Sequence, residues 1–491
     1  MSKLTFADKA GFITVGRFLR AFSKLLLLII LVRLLSKFDY GTYRQVIMLY
    51  SLFSVVMVLG IPTSIYYFVP KSNDDEAKTY VLQSQIALFV LGLLLGIIFY
   101  FSSRFCGRIF NNGSLPVYLR IFALYPLFEF PMEAIPPILI SFDRHRSAAI
   151  FNVISAINNL LAVIIPLLLG YSLYVAFLWL VIISGLQLVV ASVYVIKVMG
   201  GKGKLFNSSL FREQMRYSIP LGLSSIVTII ARELDKLIIS LYFLPDVFAV
   251  YAVGAKELPF VTIVPYAVAS TLFPKFVKLH EEKNVDQFFM LWHKSIRKVS
   301  LLILPLFAFF MITAREVITI LYTPEYLAAV PVFQVYLLLL LVHVAAFDSL
   351  VLSMGYSKIV LYSTIIGLML NIVFNVVFIN LIGFTGPAIA TVLVTLSITG
   401  YLLYVVKRKL SVSWGEVFPW KIYLHILGTS IIAGVVAVPL AFMNDSLWLK
   451  FAAISVVFWG TYVLLLRRFR LLDTDDISFA KRWFSLSVLF K

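Results

Sequence analysis

A single cysteine, Cys106, stands among 491 residues, which excludes an intrachain disulfide and any cysteine-based metal cage. Charge is scarce as well. Asp, Glu, Lys and Arg make up 13% of the chain, about half of the roughly 25% that a water-soluble domain carries. The five histidines do not cluster, and no glycine-rich phosphate loop is present; Gly200-Gly201-Lys202-Gly203-Lys204 reads as a flexible basic loop. Asp473-Thr474-Asp475 has the D-x-D form that holds a metal in some glycosyl transfers, but it sits in a short charged tail with no domain around it. Long polar intervals are missing too. The longest lie at 197–216, at 275–293 and after 467, and none is long enough for a soluble domain. These absences argue against an enzyme, a resident cofactor and a metal site.

What fills the chain is apolar: 61% of residues are hydrophobic, with a mean hydropathy of +0.97. Runs of about 20 apolar residues, the length that spans a bilayer as a helix, follow one another almost to the end. The expected fold is therefore all-α and polytopic, with about 14 spans near 12–35, 43–69, 80–103, 116–140, 147–169, 172–196, 217–243, 248–273, 294–314, 328–352, 359–380, 384–406, 421–442 and 447–466. The first run has a basic start like a signal peptide. Its apolar part continues to Leu35 with no small-residue cleavage site, so it is read as the first span. An even number of spans puts both termini on one side. With that side cytoplasmic, 28 of the 42 Lys and Arg fall inside, 8 outside and six at membrane depth. This is the positive-inside pattern, and it accounts for the net charge of +18 without nucleic acid.

The chain also repeats itself. A shift of 212 residues places Leu139-Ile140-Ser141-Phe142 on Val351-Leu352-Ser353-Met354, Arg146 on Lys358 and Asn159 on Asn371. Upstream, a shift nearer 208 sets Tyr43 on Tyr251 and Lys24 on Arg232. The repeating unit is six helices, an even number, so the copies share one orientation and are expected around an axis along the membrane normal, with a site between them. The expected organisation is an N-lobe over 1–200, a C-lobe over 201–410, an additional helix pair over 411–470 and a cytoplasmic tail over 471–491.

Ionisable side chains at membrane depth are costly and mark candidate sites. Arg17, Arg20 and Lys24 of the first span lie within about 60° of one another on a helical wheel, a cationic stripe. Arg232, Asp235 and Lys236 of the seventh share a face within about 100°, and Lys256 follows on the eighth. Such stripes suit an anionic group, and arginine matches phosphate or pyrophosphate bidentately. Alternatively, Arg17 and Arg20 snorkel to headgroups, and Arg232, Asp235 and Lys236 neutralise one another as a structural pin. Glu129 and Glu133 lie one turn apart on the fourth span, which Pro126, Pro131, Pro136 and Pro137 interrupt. Carboxylates on broken helices serve proton or sodium coupling, or else pair with nearby Arg or Lys. Asp348 and His343 are about 140° apart on the tenth span and form no single patch. Asn152, Ser155 and Asn159, and likewise Thr364, Gly367, Asn371 and Asn375, read as interhelical packing, with sugar contacts as the alternative.

Several segments carry a resemblance. Phe38-Asp39-Tyr40-Gly41-Thr42-Tyr43-Arg44-Gln45 follows the first span. Gly60-Ile61-Pro62 and Tyr66-Tyr67-Phe68-Val69-Pro70-Lys71 end the second. Ser218-Ile219-Pro220-Leu221-Gly222, Asp235-Lys236-Leu237-Ile238-Ile239 and Tyr251-Ala252-Val253-Gly254 mark the seventh and eighth. Phe273-Pro274-Lys275 and Leu321-Tyr322-Thr323-Pro324-Glu325-Tyr326 come later. In this order and spacing they resemble the Wzx-type polysaccharide flippases, relatives of the lipid II flippases and MATE exporters. The resemblance implies a two-lobed, V-shaped bundle working by alternating access. It also implies an undecaprenyl-diphosphate-linked oligosaccharide as cargo, moved from the cytoplasmic to the periplasmic leaflet of the plasma membrane. The basic residues Arg17, Arg20, Lys24, Arg232, Lys236 and Lys256 would line the cavity, and a polysaccharide polymerase with its chain-length machinery would be the implied partner. A lipid II flippase is the near alternative. A MATE-like drug exporter fits less well, since those stop at twelve helices and use acidic residues for cationic drugs. A membrane polymerase would need a long outside loop, and no outside loop here exceeds about a dozen residues.

Overall fold

The computed structural model describes residues 22–23, 25–200, 203–255, 259–443 and 446–472, the side chains of 259–263 apart. Every regular element among them is a helix, and the expected all-α membrane architecture is the one observed. Nine helical stretches among the described residues are long and apolar enough to cross a bilayer, and two of them, Lys37–Lys71 and Ser357–Leu410, each contain two α-helices. Each of the fourteen expected spans falls on a helix or on a broken run of helices, the first of them described only from residue 22 onward. The chain packs as two compact units, Met1–Ala252 and Val253–Lys491.

The first unit opens with α1 (Leu25–Leu34), followed by α2 (Lys37–Val58) and α3 (Ile61–Lys71). The expected span 43–69 is thus two helices. Leu59 and Gly60 between them both take the left-handed conformation, with φ of 47° and 71°, which ends one helix and lets Pro62 start the next. Helix α4 (Asp74–Ile109) is capped by Asn73, whose side chain accepts from the Glu76 amide, and Asp74, Asp75 and Glu76 in its first turn complement the helix dipole. Gly92 and Gly96 let α4 lie against the carbonyl oxygens of Pro126 and Ala123, where a Cβ would collide. The prolines break the expected 116–140 span into α5 (Leu115–Phe122), α6 (Tyr125–Glu133) and α7 (Ile135–Ser141). Gln85 donates to the Pro131 carbonyl at 3.2 Å, and that carbonyl also accepts from the Ala134 N–H at the break. Helices α8 (His145–Leu168) and α9 (Leu173–Met199) complete the six expected spans.

Helix α10 (Ser208–Tyr242) packs on α2, α3 and α4. At one end Gln214 donates to Ser64 (2.9 Å) and Ser84 (2.8 Å) and accepts from Gln83 (3.0 Å). At the other, Gln45 donates to Ser240 (2.9 Å) and accepts from Asn112 (2.6 Å). Gly222 between these anchors rests on the Leu59 backbone, leaving no room for a Cβ. These contacts carry the first unit through α10, so the units divide at Ala252, whereas the boundary expected from the sequence stands near residue 200. Helix α11 (Pro245–Gly254) ends where the second unit begins.

The second unit holds α12 (Pro259–Glu281), α13 (Val285–Tyr322), α14 (Val330–Leu337), α15 (Phe347–Ser353), α16 (Ser357–Ile382) and α17 (Gly386–Leu410). It closes with α18 (Trp414–Val417), α19 (Trp420–Ala437) and α20 (Leu447–Arg468). The expected span 328–352 is broken more heavily than its sequence suggests. It runs from a 3-10 turn Pro324–Ala329 through α14 and a second turn Leu338–Leu341 to irregular backbone at 342–346 and then α15. Tyr423 donates to the Leu341 carbonyl at 2.8 Å beside that break. The added pair, α19 and α20, packs on α13, where Tyr462 donates to the Leu301 carbonyl (2.9 Å) and Lys450 meets the buried Glu316 at 3.5 Å. Outward-facing residues are apolar in both units; Val190 is 70% and Val456 73% exposed, as a lipid-facing surface requires.

Candidate functional site

The charged face of α10 survives as a cluster. Asp235 is buried and accepts from the Tyr251 hydroxyl at 3.0 Å. The Lys236 ammonium, also buried, lies 3.4 Å from Asp235 and 3.9 Å from Glu233, and donates to the Arg232 carbonyl at 2.9 Å. Arg232 Nε meets Glu233 at 3.3 Å, and its side chain is 54% exposed. The four residues carry two positive and two negative charges. Burial of Lys236 is affordable because two carboxylates surround it. The arginine contributes one of its five N–H donors to Glu233 and remains the accessible member of the group. Arg17, Arg20, Lys24 and Lys256 lie outside the described residues.

A polar cavity of about 80 Å³ sits inside the first unit, lined by Ser23, Leu27, Glu129, Ser155, Ala156, Asn159 and Leu160. Ser23 and Leu27 come from the span that carries Lys24. The proline-broken α6 brings Glu129 to the cavity, while Glu133, one turn on, is exposed. Gln187 of α9 donates to Ser155 and accepts from Asn158 at 3.4 Å, so Ser155 and Gln187 bind α8 to α9. The Asn159 side-chain oxygen is buried and has no hydrogen-bond partner among the described residues. A carboxylate, an amide oxygen and two serine hydroxyls thus converge on a space large enough for a small hydrated cation or two waters.

A second polar cavity, of about 230 Å³, lies in the second unit between α12, the 342–346 break, α15, α16 and α17. Asp348 and His343 both line it despite their different helical angles, because the break turns the chain between them. Asp348 accepts from the Tyr266 hydroxyl at 3.3 Å. Asn371 and Asn375 take the packing role: Asn375 donates to Asn371, and Asn371 reaches Thr391 of α17 at 3.4 Å. Among the described residues no three His, Cys, Asp or Glu side chains form a group able to hold a metal ion. The glutamines 45, 83, 187 and 214 escaped the sequence reading. For Gln83 and Gln187 the signal was an uncharged amide inside an apolar run, where hydrocarbon would leave it unsatisfied; Gln214, among charged residues of the 197–216 interval, carried none.

The sequence pattern of the family described as "Polysaccharide biosynthesis protein" matches residues 30–331. An uncharacterised membrane protein of Methanocaldococcus jannaschii is 20% identical over 456 residues, covering 88% of this chain and 89% of its own. Among solved structures, the lipid II flippase MurJ in its inward closed conformation superposes with a TM-score of 0.72 at 17% identity, over 93% of this chain and 99% of that one. An inward-facing multidrug resistance MATE family transporter of the MOP superfamily gives 0.65 at 16% identity, over 80% of this chain and 94% of that one. At these identities the likeness is one of fold.

Proposed function

The chain belongs to the polysaccharide biosynthesis protein family, and from that premise we propose that it is a flippase for a lipid-linked oligosaccharide. The cargo is an undecaprenyl-diphosphate-linked repeat unit, carried by alternating access from the cytoplasmic to the periplasmic leaflet of a bacterial plasma membrane for surface polysaccharide synthesis. Both termini face the cytoplasm in this reading, as the basic residues of the loops favour, and the glycan passes to a polymerase with its chain-length machinery. The protein is a carrier and makes or breaks no covalent bond.

The observation that carries the reading is the accessible Arg232 on α10, whose neighbours Asp235 and Lys236 are buried and paired with each other. A half-exposed guanidinium amid apolar spans suits a diphosphate, which two N–H groups can hold bidentately. Lys236 and Asp235 serve beneath it as a buried support. Arg17, Arg20, Lys24 and Lys256 supply further cationic contacts in the same reading. The cavity around Glu129 adds energy coupling: its oxygen set fits a proton or a sodium ion, whose movement down its gradient would drive the cycle.

Replacing Arg232 by Ala or Glu in a strain dependent on this chain should abolish surface polysaccharide while the protein still inserts and folds. Normal polysaccharide in both variants at wild-type protein levels would overturn the reading. A lipid II flippase is a second reading, favoured by the fold likeness to MurJ. Rescue of peptidoglycan synthesis in cells lacking their lipid II flippase would select it.

A further inference from the structure

The second unit's cavity is unexplained by a diphosphate or a coupling ion. We propose that it is a subsite for one uncharged sugar ring of the glycan, contacted by Asp348, Tyr266, Thr364, Thr395 and Thr399. The proposal rests on the reading of the protein as a glycan carrier and adds where in the chain the sugar is recognised.

Size is the first argument. About 230 Å³ is room for roughly seven waters at about 30 Å³ each, and lies below the roughly 300–1,000 Å³ of drug-sized pockets. It fits a single ring. A bare cation would leave most of it empty, and the polar groups stand around the space on four helices, α12, α15, α16 and α17.

Hydrogen-bond chemistry is the second. Ser363 and Thr364 donate their hydroxyl protons to the Val360 carbonyl (2.8 and 2.9 Å), and Thr395 donates to the Thr391 carbonyl (2.8 Å). Their oxygens are left to face a ligand as acceptors. The Asp348 carboxylate accepts from Tyr266 and has lone pairs for more. An acceptor-rich lining needs a ligand rich in donors, and a sugar offers one on every hydroxyl. The remaining wall is apolar, formed by Phe347, Ile398 and Leu402 beside the Tyr266 ring, and suits the C–H face of a pyranose.

The backbone supplies a third, independent argument. Residues 342–346 are irregular, and Val342, His343, Ala345 and Ala346 line the space. Non-helical backbone inside a membrane protein is tolerated where protein buries it or where it borders a polar cavity, and broken helices are where transporters bind cargo. No proline or glycine falls within this break to cause it locally.

The test uses the full chain purified into nanodiscs, with thermal unfolding as readout. The probes are methyl glycosides of neutral hexoses and N-acetylhexosamines, and, separately, undecaprenyl diphosphate without sugar. At least one glycoside should stabilise the wild type saturably. Asp348→Asn and the near-isosteric Thr364→Val/Thr395→Val pair should each weaken that binding about tenfold or more, the effect of losing one well-made hydrogen bond, while undecaprenyl diphosphate stabilises all three proteins alike. No response of the wild type to any glycoside would overturn the subsite, as would an undiminished response in both variants. So would stabilisation by sodium that Asp348→Asn abolishes with no glycoside effect, since that describes a cation site. Failure of undecaprenyl diphosphate to bind, with the glycoside response intact, would instead remove the carrier lipid from the proposed function and leave the sugar subsite standing.

Discussion

In the first unit the polar cavity measures about 80 Å³ and gathers Glu129, Ser155 and Asn159; in the second it measures about 230 Å³ and gathers Asp348 with a set of hydroxyls. Each lies beside the broken fourth helix of its repeat. The repeat alignment pairs Asn152 with Thr364, Ser155 with Gly367 and Asn159 with Asn371. That pairing shows how one plan yields two sites. Gly367 packs against Ile398 and Asn371 bonds to Thr391, so α16 and α17 close together at the level where α8 leaves the Asn159 oxygen facing a space. The cavity of the second unit therefore forms one turn away, at Ser363 and Thr364, where the 342–346 break has made room. Which residue bonds to which neighbour thus decides whether the helices leave a space of about 80 Å³ or one of about 230 Å³.

The sharpest way to break this comparison is to cross the two carboxylates. Glu129→Gln should lower gradient-driven flipping in proteoliposomes by about tenfold or more, because a neutral amide no longer exchanges a cation or proton, with sugar binding unaltered. Asp348→Asn should do the reverse, keeping the response to the gradient and losing sugar-dependent affinity. Equal effects of both variants on both measurements would show that the cavities form one functional unit.

The ion pairs sharpen the comparison at the level of stability. In the first unit Asp235 and Lys236 pair within α10, and Asp235 accepts from Tyr251 of the neighbouring α11. In the second, Glu316 of α13 and Lys450 of α20 join helices far apart in sequence. Removing one member of a buried pair strands the other, at a cost of about 3–5 kcal/mol. Asp235→Ala belongs at the low end, since Lys236 retains Glu233. Lys450→Met leaves the buried Glu316 without a counter-charge. Denaturant titration should show both losses, but hydrogen exchange should place the first within α10 and α11 and the second along the whole of α20. The double substitutions Asp235→Leu/Lys236→Met and Glu316→Leu/Lys450→Met should regain most of the stability, since an apolar pair of similar volume replaces a costly ionic one.

The helices were legible in the sequence because a bilayer sets their length, and an apolar run of about 20 residues has few other uses. Breaks were legible where chemistry marks them. Pro126, Pro131 and Pro136 announce the interruption of the fourth span, whereas the break at Leu59-Gly60 falls inside the span expected whole over 43–69. Val342-His343-Val344-Ala345-Ala346 contains no breaker, so the interruption that shapes the larger cavity was invisible. The α10 cluster was legible as three charges on one face, Arg232, Asp235 and Lys236, with binding and mutual pairing both open. Burial of Asp235 and Lys236 depends on how α10 packs, which periodicity does not encode. Asn159 and Asn371 show the same limit: identical residues that the 212-residue shift aligns, one with its oxygen unbonded beside a cavity and one bonded across to a threonine.

The smallest expected difference lies at two helix starts outside the spans. In the first unit Asn207 caps α10 with a neutral amide that accepts from the Ser209 and Leu210 backbone N–H groups. In the second, Ser413 and Glu416 form a reciprocal capping box at α18: the Ser413 side chain accepts from the Glu416 amide, and the Glu416 carboxylate accepts from the Ser413 amide at 2.6 Å. Bonds donated to the Glu416 carboxylate by Ser413, first from its backbone N–H and then from its hydroxyl, hold that carboxyl below its usual range. A carboxyl depressed in the folded state contributes stability above its unfolded pKa and loses it as pH falls through the folded value. Acidification should therefore speed amide exchange at Ser413 and across α18, once the intrinsic pH dependence of exchange is corrected for, and leave Ser209 and Leu210 unaffected. Glu416→Gln, which still accepts a hydrogen bond but cannot titrate, should flatten the pH response while keeping the cap. If exchange at Ser413 stayed level through the acid range in the wild type, the carboxylate would have no part in holding that turn.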